Sequence, residues 1–166
     1  MTRHLLLAAT LALLAMPASA QDEVRFTSED EQTMQQCFEA VNDTIASGDD
    51  SVSLRDCIGS ASNICQTAPG GGSTVGMVDC SRREQSWWDG QLNSYYGELE
   101  TALEPGVFAS LRKAQKIWIA YRDAKCDFTY QLWSEGTISQ VFLAYCLMDT
   151  TAERAIELSQ ALDAAS

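Results

Sequence analysis

The stretch LRKAQKIWIAYRDAKC, residues 111–126, decides the fold class. It holds neither glycine nor proline, and its apolar residues recur three and four positions apart, the spacing of one face of an α-helix. Leu111, Ala114, Trp118, Tyr121 and, just beyond, Phe128 share such a face, so the spacing predicts a helix from about Val107 to Trp133 with that face buried. Pro105-Gly106 breaks the chain before it, and proline suits a first helical turn. Glu135-Gly136-Thr137 makes the turn after it. Arg112, Lys113, Lys116, Arg122 and Lys125 also lie in the stretch, which ends on Cys126. Gln115, Trp118 and Arg122 stand at i, i+3 and i+7, which sets Arg122 against the buried face. A cation there needs a partner, because an unpaired buried charge is costly. Asp123 is adjacent, and Asn93 or Glu98 on the preceding helix is within reach.

Working outward, a second long helix is expected from about Val78 to Glu104. Trp88, Leu92, Tyr95, Leu99 and Leu103 form its apolar stripe, with Tyr96 beside it. Trp87-Trp88 reads either as a sugar-stacking or contact platform or, more simply, as a core Trp88 shielded by Trp87. Downstream, a helix from about Ile138 to Ala161 carries Val141, Phe142, Tyr145, Ala152 and Ile156, with Leu162 next. Near the start, a helix over residues 27–47 has Thr27 or Ser28 as its cap. Glu29, Asp30 and Glu31 lie at its positive end, and Met34, Cys37, Phe38, Val41 and Ile45 on one face. Gly48-Asp49-Asp50 ends it, and Ser51 or Ser53 starts a short helix through about Ile64. TAPGGGSTVG, residues 67–76, is expected to be a flexible loop. It lacks the Lys-Ser/Thr ending of a phosphate-cradling loop. No period-two alternation appears anywhere. The expected architecture is all-α: a disulfide-stapled bundle of about five helices. Three long antiparallel ones run up-down-up within residues 65–166, and an acidic helical pair at 21–64 packs with them as one globular unit.

Compartment follows from the first 20 residues and the cysteines. Arg3 and His4, an apolar run of 12 residues from Leu5 to Met16, and Ala18-Ser19-Ala20 make a secretory signal cleaved after Ala20. The run is too short for a stable membrane anchor, so the mature chain is expected in the periplasm or outside the cell, with no membrane insertion. Cys37, Cys57, Cys65, Cys80, Cys126 and Cys146 are an even set in an oxidising compartment and read as three disulfides. Fifteen pairings are possible with six cysteines. Spacing favours Cys37–Cys57, Cys65–Cys80 and Cys126–Cys146, each worth about 3 kcal/mol of chain entropy. C-x-x-C spacing is absent, which argues against a redox centre or thiolate metal site.

Composition excludes several function classes. The only histidine, His4, leaves with the signal, and with it go His-based acid–base and nucleophile chemistry and His-containing zinc sites. No catalytic residue, metal ligand or cofactor site is indicated. The processed chain keeps 10 Lys/Arg against 23 Asp/Glu, a net charge of −13. Residues 22–56 hold 10 of the acids and only Arg25 and Arg55 as bases. Such a surface repels nucleic acid and attracts a basic protein.

A series of residues then matches a known pattern: Cys80; Asp89, Leu92, Asn93 and Tyr96; Leu111, Ala114, Gln115, Trp118, Tyr121, Arg122, Asp123, Ala124 and Cys126; and Gly136, Cys146, Thr151, Arg154 and Leu158. In these, residues 65–160 resemble the lysozyme-inhibitor LprI N-terminal-like family of small exported helical domains. The resemblance implies a non-enzymatic binding protein, with lysozyme as the type of partner. The matched residues Asp89, Asn93, Gln115, Trp118, Arg122, Asp123 and Arg154 read as scaffold residues facing neighbouring helices. Two functions stay open: an inhibitor of a basic wall hydrolase, which docks through Glu29, Asp30, Glu31, Asp49 and Asp50, and an envelope interaction module with no enzyme target.

Overall fold

The computed structural model describes residues 26–49, 51–134 and 136–165. The expected signal segment, Asp50 and Glu135 lie outside the described residues. Helix α1 spans Ser28–Ala46, and a 3-10 turn covers Leu54–Cys57. Helices α2 (Ser60–Thr67), α3 (Thr74–Ala102), α4 (Pro105–Leu132) and α5 (Ile138–Ala165) follow. The fold is all-helical, and its long helices α3–α5 pack together.

Local chemistry sets each start. Thr27 caps α1 through a capping box with Asp30, and Ser53 and Asp56 do the same for the 3-10 turn. Ser73 caps α3 by accepting from the Gly76 N–H at 3.0 Å. Pro105 occupies the first turn of α4. The second element differs from the expected single helix. At Gly59, φ is +92°, a left-handed conformation that splits the segment into the 3-10 turn and α2. Gly59 offers no side-chain cap to α2. The cap comes instead from across the bundle: the fully buried Glu84 carboxylate on α3 accepts from Gly59 N at 2.6 Å, Ser62 N at 2.8 Å and Trp88 Nε1 at 2.9 Å. It satisfies two of the helix's unpaired N–H groups and meets the positive end of its dipole.

The glycine-rich connection is a tight turn rather than a flexible loop. A Cβ on Gly76 would stand 2.2 Å from the Gly70 carbonyl oxygen, so only glycine allows this approach. With Ser73 as cap, α3 begins four residues before the expected Val78.

Three disulfides join Cys37–Cys57, Cys65–Cys80 and Cys126–Cys146, with Cα separations of 5.7, 5.6 and 5.5 Å. The core gathers Met34 and Val41 of α1, Cys57, Ala61 of α2, Trp88, Leu92 and Leu99 of α3, and Met148, Ala152, Ala155, Ile156 and Leu158 of α5. Burying a side chain the size of Met34, Leu99 or Leu158 contributes about 1.5–3 kcal/mol. Trp88 sits in this core, while Trp87 packs outside it against Phe26 and Phe38 and donates its Nε1–H to Glu31. The pair is therefore packing, not an open platform.

The central helix is α5, not α4. Ala144, Ala152 and Ala155 are small enough to admit α3 closely, and α5 also carries α4 on another side. By contrast, α3 and α4 make little direct contact. The buried face of α4 is rotated about a quarter-turn from the expected one. Phe108 and Cys126 are buried, and Leu111, Gln115, Trp118, Arg122, Lys125 and Thr129 half-buried. Ala114 is exposed, as are Tyr121 (56 %) and Phe128 (66 %). Two seven-residue stripes run along this helix, and cross-links choose between them: the Cys126–Cys146 disulfide, Arg154 Nε donating to Gln115 Oε1 at 2.9 Å, and Lys125 Nζ to Thr150 Oγ1 at 3.1 Å.

Candidate functional site

Because α4 leans on α5 and stands off α3, a groove of about 530 Å³ opens between α3 and α4. Asp89, Leu92, Asn93 and Tyr96 line one wall; Arg112, Gln115, Lys116, Trp118, Ile119 and Arg122 line the other. Tyr96 on the α3 wall also packs on the buried Phe108 of α4, with ring centres 5.2 Å apart.

Trp118 lies beside two guanidinium groups. The Arg122 carbon is 5.2 Å and the Arg154 carbon 6.0 Å from its ring centre, within cation–π range. Each arginine is also anchored. Arg122 donates to Asp123 Oδ1 at 3.0 and 2.8 Å, and Arg154 donates to Gln115 at 2.9 Å and Glu157 at 2.8 Å. Of the partners foreseen for Arg122, Asp123 takes the role. Asn93 shares the groove but donates to Asp89 Oδ2 at 3.0 Å, and Glu98 accepts from Ser94 at 3.1 Å. Asp89, Asn93, Gln115, Trp118 and Arg122 thus line one groove, Arg154 braces its Trp118 wall, and Asp123 holds Arg122 from outside. Chemically it offers an aromatic surface, fixed guanidinium groups and the cations of Arg112 and Lys116, an arrangement for recognition.

The acidic segment resolves differently. Of its suggested contact residues, Glu29 and Asp49 are exposed. Asp30 is buried, which withdraws it as a surface contact. Its carboxylate accepts from Thr27 N and Oγ1, both at 2.7 Å, and pairs with Arg83, whose Nε lies at 3.0 Å and whose Nη2 also donates. Burial pushes this carboxyl up, but the hydrogen bonds from Arg83 and Thr27 and the Arg83 charge outweigh it and hold it below the ordinary 3.8. Glu31 is half-buried and holds Trp87. Glu39 and Asp43 were not in the suggested set, yet both are exposed on α1, a helix with no Lys or Arg. Neither Glu84 nor Arg83 stood out in the sequence; the four-residue step from Glu84 to Trp88 was the one available hint.

A family model described as lysozyme inhibitor LprI matches residues 65–158. The chain belongs to that family. The matched segment of this LprI-family chain runs from the end of α2 into α5, so it contains the whole α3–α4 groove and leaves α1 outside. An uncharacterized protein of Rhizobium meliloti (strain 1021), R02472, is 26 % identical over 131 residues, covering 69 % of this chain and 94 % of the relative. No solved structure matches. Three disulfides and LprI membership suggest a location outside the cytoplasm. Among the described residues, no helix is long and apolar enough to cross a membrane, and no three His, Cys, Asp or Glu side chains are grouped to hold a metal ion.

Proposed function

We propose that this LprI-family chain is a periplasmic binding protein that inhibits a basic, lysozyme-type wall hydrolase by electrostatic docking and occlusion. Family membership carries the reading. The net charge of −13 after loss of the signal supports it, because it would steer a cationic enzyme toward the surface. The docking contacts we favour are the exposed acids Glu29 on α1 and Asp49 just beyond its end, extended by Glu39 and Asp43 on that base-free helix.

The test is a wall-lysis assay with oxidised protein of residues 21–166 against a panel of basic lysozymes, at low and near-physiological salt. Stoichiometric inhibition that weakens with salt is expected, as is its loss on reversing Glu29, Glu39, Asp43 and Asp49 together. Inhibition indifferent to those reversals but abolished by Trp118→Ala would move the contact to the groove. Absence of inhibition across the panel would favour the second reading, an envelope interaction module without an enzyme target. One observation supports that alternative: Gln115, Arg122 and Arg154 already satisfy one another or their neighbours within the fold.

A further inference from the structure

We infer that the outer face of α4 pairs with the same face of a second copy, antiparallel about a two-fold axis, to make a homodimer. The face is the second of the two stripes along this helix. Val107, Ser110, Ala114, Ile117, Tyr121, Ala124, Phe128 and Gln131 recur at alternating steps of three and four, the seam spacing of paired helices. Its large members are open: Val107 is 55 % exposed and Ile117 61 %, alongside the exposed Tyr121 and Phe128. Among the described residues, nothing packs over them as a covering layer.

Three observations select a second copy as the occupant. First, the stripe is its own complement when reversed. With the axis near Ile119, Ile117 meets Tyr121 of the second copy, Ala114 meets Ala124, and Ser110 meets Phe128, so large residues face small ones or one another in layers without a clash.

Second, the charges match under the same operation. Lys113 and Asp127 both lie on one flank of the stripe, two heptads apart, and neither has an ion-pair partner among the described residues. Reversal brings Lys113 of each copy to within about two residues, or 3 Å of rise, of Asp127 on the other. That forms two symmetric pairs at the flanking positions that set orientation in helix pairs.

Third, α4 is where two such acidic chains can meet. It carries five bases, Arg112, Lys113, Lys116, Arg122 and Lys125, against Asp123 and Asp127, a net of +3 in a chain otherwise strongly negative. Exposed aromatic side chains here would each bury on the order of 100 Å². Both copies together would bury on the order of 1,000 Å², the lower end for a specific interface. The dimer is therefore expected to be reversible and in the micromolar range.

Sedimentation equilibrium of oxidised protein of residues 21–166, over roughly 1–500 µM, tests this. The expected result is a monomer–dimer equilibrium. Ile117→Glu should weaken it at least about a hundredfold, by placing two carboxylates in the seam. Lys113→Glu alone and Asp127→Lys alone should each weaken it roughly tenfold, and the double exchange should restore it. Circular dichroism and the absence of free thiols establish that each variant is folded. The inference is overturned by a monomer throughout the range, or by a dimer unchanged in Ile117→Glu. A double exchange no better than its parents, or growth into open polymers, would overturn it too. So would a stripe that captures a different protein while the free chain stays monomeric.

Discussion

Removing the Glu84 carboxylate should cost this protein a large share of its stability. The side chain is fully buried and accepts three hydrogen bonds, from Gly59 N, Ser62 N and Trp88 Nε1. In Glu84→Ala all three donors lose their partner in a space closed by Trp88 and α2. A buried donor left unsatisfied costs about 1–3 kcal/mol, and water entering the vacated volume recovers part of that. The net expectation is a loss of about 3–5 kcal/mol, against a total of about 5–15 kcal/mol for a domain of this kind. Glu84→Gln keeps the volume and one acceptor oxygen but turns an NH2 group toward one of the N–H donors, so about 1–3 kcal/mol is expected. Urea unfolding of the oxidised protein, followed by tryptophan fluorescence, reads both. With a slope of about 2 kcal/mol per molar, the alanine midpoint should fall by roughly 2 M at an unchanged slope. An alanine variant within about 0.5 kcal/mol of the parent would refute the idea that this carboxylate caps α2 from across the bundle.

Other consequences are equally direct. Because the Asp30 carboxyl is held below its ordinary value, its ion pair with Arg83 stabilises the fold above about pH 3.8, and that contribution is lost as pH falls through the lower folded value. Asp30→Asn should thus be destabilised at pH 7 by about 1–3 kcal/mol, with the gap to the parent closing in acid-unfolding curves below pH 4. Asp149 carries the opposite sign: although the residue is exposed at its outer edge, partial desolvation of its carboxyl, then the charges of Glu153 and Glu84, raise it, and Lys125 only partly opposes them. Its ionised form costs stability as pH rises through the raised value, so Asp149→Asn should gain a few tenths of a kcal/mol at pH 7, discounted for solvent, and nothing at pH 3. Thr151 Oγ1 is the buried side-chain polar atom left without a hydrogen bond among the described residues, and Thr151→Val should be neutral or raise the thermal midpoint by a few degrees.

The helix pattern was legible because its signals are local. Caps at Thr27 and Ser53, Pro105 at a first turn and Gly136 at a turn act within a few residues of themselves, whereas the Ser73 cap was hidden inside a stretch that reads as a loop. The disulfides were legible because consecutive cysteines close short loops across turns. What escaped depends on distant partners. Asp30 and Glu31 read as dipole-stabilising surface acids, and only the approach of α3 turns them to Arg83 and Trp87. The outer stripe of α4 holds no charged residue while the inward one includes Gln115, Arg122 and Lys125, so apolar spacing alone points the wrong way and the buried stripe is decided by Cys146, Thr150 and Arg154 on another helix. The central place of α5 was hidden because Ala144, Thr151, Ala152 and Ala155 carry weak hydrophobic signal, although their small size is what admits α3. The groove residues were quoted one by one, but their convergence needed the splay between α3 and α4.

The three disulfides have a consequence for biogenesis. Each joins a cysteine to the next one along the chain, across 20, 15 and 20 residues, and none encloses another. A chain threaded through a translocation pore from its N-terminus presents Cys37 and Cys57 first, then Cys65 and Cys80, then Cys126 and Cys146. An oxidant that simply couples each newly arrived thiol to the one waiting before it reaches the native set without passing through a wrong bond. Maturation of this protein is therefore expected to depend on a thiol oxidase and to be indifferent to loss of a disulfide isomerase.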